Sequence, residues 1–261
     1  MQQSTISALF GALSNETRLN LIANNLANAN TAGYKADKVS FQDVFQRMAS
    51  DFSPDARNDL QEKNLLPRPI LVAKPRLAEQ TLDMTQGGLE ATGNPLDLAI
   101  TGPGFFRVQT PEGQFLTRNG QFYRNNQGML VTNQGYPVLG QSGPVTLGEG
   151  KTVTITRDGQ VSVDGDIVGA IDVVDVADPK QLKKYGQSMF AGPNNSQPVT
   201  QAIDTGKTGI NQGYIEKPNV NVVGEMVAMI EAQRSFEAYA KIISSTQDMD
   251  QNATNKVGET R

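Results

Sequence analysis

Histidine, cysteine and tryptophan are all absent from the chain. Without cysteine no disulfide can form, so the fold must hold in any redox compartment without one. Without histidine and cysteine, most transition-metal sites and most nucleophile–base pairs are excluded. A general base would have to be a carboxylate, a lysine or a tyrosine. A dominant charge is missing too. The 23 basic and 27 acidic residues leave a net charge of −4, with no run of like charge to attract nucleic acid or anionic lipid. No stretch approaches the roughly 18 consecutive apolar residues of a membrane helix. The opening Met1–Phe10 has neither the basic start nor the continuous apolar run of a secretory signal. The expectation is a chain that is soluble when made, with no cleavable signal, no direct membrane insertion, no metal and no cofactor.

What is present falls into three kinds of sequence. Residues 1–35 read as a helix: Ile6, Leu9 and Leu13, then Leu19, Ile22 and Leu26, recur at spacings of three and four. A polar break at Ser14–Thr17 interrupts them. The helix is expected to stop near Gly33, a left-handed cap with Tyr34 folding back as its apolar partner. At the other end, Asn221 is the expected N-cap, with Glu225 in the favourable first turn. A stripe then runs through Val222, Met226, Met229, Gln233, Phe236, Ala240, Ile243 and Gln247, widened by Ile230, Tyr239 and Ile242. Its gaps of four and three are those of a helix packed on other helices, and its expected partner is the N-terminal helix.

Between the helices the period changes to that of strands. Gly104–Gln109, Gln114–Thr117, Met129–Thr132, Thr152–Thr156, Gln160–Val163 and Gly169–Val174 are short and rich in β-formers. Asn119-Gly120, Gln127-Gly128, Asp158-Gly159 and Asp164-Gly165 punctuate them at hairpin-like intervals. The reading is therefore α+β: long N- and C-terminal helices packing together in a coiled-coil-like way, with an all-β domain inserted between them. The boundaries are 1–35 for the N-terminal assembly helix, 36–74 for a connector, 75–205 for the β domain, and 206–261 for the return segment and C-terminal assembly helix. The connector has apolar spots at Phe41, Val44 and Phe45, then prolines 67, 69 and 75.

Patterns that carry chemistry elsewhere fail here on inspection. Gly148-Glu-Gly-Lys-Thr152 resembles the tail of a phosphate loop, but Val145 stands where the first glycine belongs and a strand follows instead of a helix. Asp248, Asp250, Asn252 and Glu259 match calcium-loop positions, but Ala253 replaces the glycine of the sharp turn. A polar helix end is the better reading. Asp164, Asp166, Asp172 and Asp175 offer carboxylates, yet no spacing singles out a pair for glycoside hydrolysis, and turn aspartates are common. Arg107, Arg118 and Arg124 among Phe105, Phe106, Phe122 and Tyr123 fit alternation on strands, arginine outward and aromatic inward, better than nucleic-acid stacking. No residue is assigned a catalytic role.

One segment resists a plain reading. Leu21–Asn30 places four asparagines (24, 25, 28 and 30) on a helix, where a surface would favour Glu, Lys or Ala. Ala23, Ala27 and Ala29 between them allow close backbone approach. Asn24 and Asn28, one turn apart, could bond across an inter-subunit contact and fix its register. A polar helix end ahead of a cap is the alternative. The subunit-interface residues expected on this basis are Leu19, Ile22, Asn24, Asn25, Leu26, Asn28, Val222, Met226, Met229, Gln233, Phe236 and Ile243. Structural turns are expected at Gly33, Asn119 and Gly120.

Four motifs then resemble one family. Leu21-Ile-Ala-Asn-Asn-Leu-Ala-Asn-Ala-Asn-Thr-Ala-Gly-Tyr-Lys35 resembles the N-terminal signature of bacterial flagellar rod and hook proteins. Thr92–Val108 is similar to their central-domain entrance, Leu116-Thr-Arg-Asn-Gly120 to the strand and turn that follow, and Gly213–Val222 with Met226–Glu237 to their C-terminal signature. The motifs run in order through nearly the whole chain. Length argues against the short rod proteins and the hook protein and leaves a proximal and a distal rod protein. Val138–Val145 and the ending from Asp248 look more like the proximal one. The resemblance implies a structural, non-enzymatic subunit that leaves the cytoplasm through the flagellar export apparatus. It would stack with copies of itself and other rod proteins into a torque-transmitting shaft across the periplasm. The rival expectations are a rod-borne peptidoglycan hydrolase and a carbohydrate- or partner-binding β-module.

Overall fold

The structure, a computed structural model, describes residues 2–47, 71–150, 152–186, 188–193, 196–203 and 206–258. Two long helices, α1 (Gln2–Ala27) and α2 (Val222–Gly258), flank a β-rich region, so the chain is α+β. It divides into two compact units. One holds Met1–Ile22, Val39–Gln80 and Met226–Arg261; the other holds Ala23–Lys38 and Thr81–Glu225. Among the described residues no helix is long and apolar enough to cross a membrane.

The second unit is built on a six-stranded sheet. In spatial order its strands are Lys183–Tyr185, Met189–Ala191, Gly113–Thr117, Phe105–Thr110, Val173–Val176 and Thr200–Ala202, each antiparallel to its neighbour. Successive side chains on a strand face opposite ways, and Phe105-Phe106 shows the consequence. Phe106 enters the larger core with Leu98, Val108, Leu130 and Val138, its ring edge-on to Phe122 at 5.2 Å between centroids. Phe105 turns to a smaller core with Leu116, Val174 and Leu182, edge-on to Phe190 at 5.6 Å. Each such burial contributes about 1.5–3 kcal/mol. The sheet is held from both faces.

Three of the four glycine dipeptides close hairpins. Gln127-Gly128 joins Phe122–Arg124 to Leu130–Thr132, Asp158-Gly159 joins Val153–Ile155 to Gln160–Val163, and Asp164-Gly165 joins that strand to Asp166–Ala170. Asp164 and Gly165 have φ of 52° and 102°, the consecutive left-handed pair that a two-residue hairpin turn requires. Asn119-Gly120 corrects the expectation. It carries the chain out of the six-stranded sheet into a separate pair, and Gly120 lies flat on Leu98: its carbonyl accepts the Leu98 N–H at 2.9 Å, and a Cβ would overlap the Leu98 carbonyl. Gly169–Val174 is not one strand either. Asp166–Ala170 ends one sheet, Ile171 drops into the core, and Val173–Val176 joins the six-stranded sheet.

In the connector, Asp37–Arg47 pairs with Leu71–Leu82 as a two-stranded sheet; the first strand carries Phe41, Val44 and Phe45, the second Pro75. Pro67 and Pro69 lie outside the described residues. Helix α1 stops at Ala27 and not near Gly33. Asparagine side chains compete with the helical ladder: Asn28 Nδ2 donates to the Asn24 carbonyl at 2.9 Å, and the chain turns through Asn28–Gly33. Helix α2 begins as expected, with Asn221 Oδ1 accepting the Gly224 N–H at 3.1 Å and Glu225 in the first turn. It continues through Asp248, Asp250 and Asn252, so these are helical positions and not a calcium loop; Glu259 lies outside the described residues. A strand, Val153–Ile155, follows Gly148–Gly150.

Candidate functional site: a buried junction and exposed helix faces

Within the β-rich unit, three distant segments meet on one carboxylate. The turn after α1 delivers Ala32–Asp37, six consecutive buried residues. The strand Gly113–Thr117 ends at Arg118, and the return strand Tyr214–Glu216 brings Glu216. Lys35 Nζ lies 2.6 Å from Glu216 Oε1, and Arg118 Nη1 lies 3.4 Å from Oε2; the Lys35 and Glu216 side chains are 1% and 0% exposed. Lys35 also donates to the Thr85 carbonyl at 2.7 Å, Arg118 Nη2 to the Gly102 carbonyl at 2.8 Å, and the Gly87 N–H to Glu216 Oε1 at 2.9 Å. The Arg118 guanidinium stands 5.1 Å from the centre of the Phe105 ring. Burial pushes both cations below their ordinary pKa values, and the shared carboxylate opposes the shift. Arg118 therefore does not point outward as strand alternation suggested. Arg107 is partly buried and pairs with Asp172, while exposed Arg124 donates to the Gly150 carbonyl at 2.8 Å.

The predicted turn residues belong to this junction. Gly33, at φ 68°, donates its N–H to the Glu216 carbonyl at 2.8 Å, and a Cβ there would overlap the backbone at Arg118-Asn119. Asn119 Oδ1 accepts the Gln121 N–H at 3.0 Å. Lys35 and Glu216 escaped assignment from the sequence. Their signal was indirect: Lys35, Arg118 and Glu216 each sit inside a different one of the motifs that carried the resemblance.

Beside the junction, the asparagines are used within the chain. Asn25 is buried; its Nδ2 donates to the Asp37 carbonyl at 3.0 Å and to Glu225 Oε1 at 3.2 Å. Its Oδ1 accepts the Asp37 N–H and the Tyr34 hydroxyl, each at 3.0 Å. Tyr34 does fold back, but through its hydroxyl, whose one proton is shared between Asn25 Oδ1 and the nearer Asn24 Oδ1 at 2.7 Å. Lys184 Nζ sits 2.6 Å from Asp37 and 3.8 Å from the centre of the Tyr34 ring. Burial, then the Asp37 and Glu225 carboxylates, hold the Tyr34 hydroxyl well above its usual pKa. Asn25 and Ile22, expected at a subunit interface, are thus taken up inside the protomer. Asn24 is exposed, and Leu19, Leu26 and Asn28 are half-buried.

The helical unit is inverted. Among the described residues of α1 the buried positions are small, Ala8, Gly11 and Ala12, apart from Ile22 and Asn25, while Ile6, Leu9 (59% exposed) and Leu13 (56%) face outward. On α2 the buried positions are Ala232 and Thr246, while Val222, Met226, Val227, Ile230 (50%), Phe236 and Ile242 are exposed. Of the predicted seam only Met229 and Ile243 are even half-buried; Gln233, Ala240 and Gln247 are exposed. The phase differs because small residues fill the close contact: a Cβ on Gly11 would lie 2.6 Å from the Tyr239 ring.

Comparison with known proteins fits this arrangement. Family models described as flagella basal body rod protein, flagellar hook protein FlgE/F/G D1 domain and flagellar basal body rod FlgEFG protein C-terminal match residues 3–35, 99–163 and 211–256. The flagellar basal-body rod protein FlgG of Agrobacterium fabrum is 34% identical over 255 residues, covering 93% of this chain and 94% of its own. The chain belongs to the flagellar basal-body rod protein family. The rod protein FlgF of Mesorhizobium japonicum is 32% identical and covers 99% of each chain; that of Caulobacter vibrioides is 33% identical and covers 97% of this chain and 98% of its own. Near-equal identity to FlgG and FlgF leaves the two kinds undivided. All three matched regions meet in the Glu216 cluster, through Lys35, Arg118 and Glu216, and the first and third also meet in the Asn25 network, through Asn25, Tyr34 and Glu225. This chain is accordingly a structural rod subunit of the flagellar basal body.

Proposed function

We propose that the chain is a proximal rod protein of the FlgF kind, doing mechanical work without catalysis. In this reading α1 and α2 pair in a coiled-coil-like way along their small residues, and their exposed apolar faces meet neighbouring subunits. The observation that carries it is the inversion of the helical unit. Leu9, Leu13, Val227 and Ile230 are among the large apolar side chains left in water, and contiguous apolar surface on a soluble chain marks an interaction site. Burying them between subunits would supply the association energy that the protomer leaves unused. Copies of itself and other rod proteins are the partners, and the flagellar export apparatus is the route out of the cytoplasm. The rod across the periplasm is the resting place.

The preference for FlgF rests on Val138–Val145 and on the ending from Asp248. Among the expected interface residues, Asn24, Val222, Met226, Gln233 and Phe236 remain available at the surface, and Leu19, Leu26, Asn28, Met229 and Ile243 in part. Three of the four aspartates weighed for hydrolysis are engaged locally: Asp172 pairs with Arg107, Asp164 accepts the Thr152 N–H at 2.9 Å, and Asp175 accepts the Val176 N–H at 2.8 Å. Deleting residues 2–20, which leaves the buried Asn25 and Ala32–Asp37 in place, separates the readings. A rod subunit loses assembly and motility, whereas a hydrolase or a binding module keeps its activity. Imaging of purified basal bodies carrying a tagged chain decides between proximal and distal positions.

A further inference from the structure

The Lys35–Glu216–Arg118 cluster carries more than packing. It places two buried cations on one carboxylate, and that carboxylate comes last in the chain, 181 residues after Lys35 and 98 after Arg118. Until the return segment is in place, docking Ala32–Asp37 would bury Lys35 beside Arg118 without the carboxylate that pairs directly with both, and an unpaired buried charge is strongly unfavourable. The other ties lean the same way. Gly33 N–H bonds the Glu216 carbonyl at 2.8 Å, and Ala36 N–H bonds Asn219 Oδ1 at 2.7 Å, while Asn219 Nδ2 reaches the Asp83 carbonyl at 2.7 Å. Lys35 to Thr85, Asp83 to Ala36, Lys38 to Asp83 and Lys184 to Asp37 do not need the return segment. Asp83 also acts on Lys35 and Asp175 on Arg118 through space, as smaller influences than Glu216, but the ion pairs that Lys35 and Arg118 make are both to Glu216.

We propose that Glu216 is a keystone that makes docking of the N-terminal segment conditional on the C-terminal return. Ala32–Asp37 stays undocked from the β-rich unit until Tyr214–Asn219 arrives, so the two chain ends dock together and last. The inference concerns folding of one chain and stands whether or not the rod reading is correct.

The test labels the full-length protein with an amine-acylating reagent, with Lys35 followed by peptide mass spectrometry alongside amide exchange. In the unaltered chain Lys35 is protected. In Glu216→Gln, its acylation rises at least about a hundredfold and amides of residues 32–37 lose protection, while those of 105–117 and 160–176 keep theirs. Adding Lys35→Met to Glu216→Gln removes the cation that the segment must bury and restores protection over residues 32–37. Continued protection of Lys35 in Glu216→Gln overturns the proposal. So does equal loss of protection across the whole β-rich unit, which would make Glu216 a general support. Failure of the double variant to restore the segment overturns it as well.

Discussion

In the β-rich unit the side chains removed from water are the large ones: Leu98, Phe106, Phe122, Leu130, Val138 and Val161. In the helical unit they are mostly small: Ala8, Gly11, Ala12 and Ala232, while leucines, isoleucines and a phenylalanine of the same helices stay outside. A core of large side chains can carry a fold alone, because apolar area buried sets the driving force. A contact lined by alanine and glycine brings backbones close and buries little. The β-rich unit buries its large apolar side chains within the protomer. The helical unit leaves its large apolar side chains exposed, the faces proposed above to meet other subunits.

That contrast can be broken in several ways. Phe106→Ala should cost the β-rich unit about 3–5 kcal/mol, read as a lower denaturant midpoint. A comparable loss from Leu13→Ala would show that the helices are already supporting the protomer. Gly33→Ala should cost at least about 2 kcal/mol, since alanine is strained at φ 68° and its Cβ meets the Arg118-Asn119 backbone. A neutral result would mean that the turn relaxes. Asn25→Ala should cost about 1–3 kcal/mol by removing the amide that pairs with both the N–H and the carbonyl of Asp37. If Asn25 acts between subunits instead, this variant keeps its monomer stability and loses only assembly.

Leu13→Asp and Ile230→Asp should shift monomer stability by no more than about 0.5 kcal/mol yet abolish rod assembly, scored as basal bodies and swimming. The smallest effect is on pH dependence. Tyr34 favours its neutral form when folded, so its contribution is fully present below the unfolded tyrosine value of about 10. It is lost as pH climbs above that value toward the raised folded one. Tyr34→Phe should flatten that part of the stability curve.

The sequence showed where strands, helices and most turns lie because each has a local signature. A run of β-formers at Gly104–Gln109 marked the strand found at Phe105–Thr110, Asn221 marked the start of α2, and Asp164-Gly165 marked a hairpin. It misplaced the end of α1, where the side-chain amide of Asn28 turns on the Asn24 carbonyl and local bonding overrides helical periodicity. It misjudged the seam because period counting weights large residues, while the closest contact falls on Gly11 and Tyr239. It missed Lys35 and Glu216 as a pair because no local pattern links residues 181 apart in the chain. The motif resemblance preserved that information without revealing its geometry.

The central claim is that the helical unit is completed only by assembly. Amide hydrogen exchange on the isolated full-length monomer tests it most directly. The account predicts rapid exchange in residues 5–22 and 226–250, because helices whose apolar faces lack a partner open readily. It predicts slow exchange across the strands of 98–176. Strong protection of residues 5–22 in the monomer would contradict it.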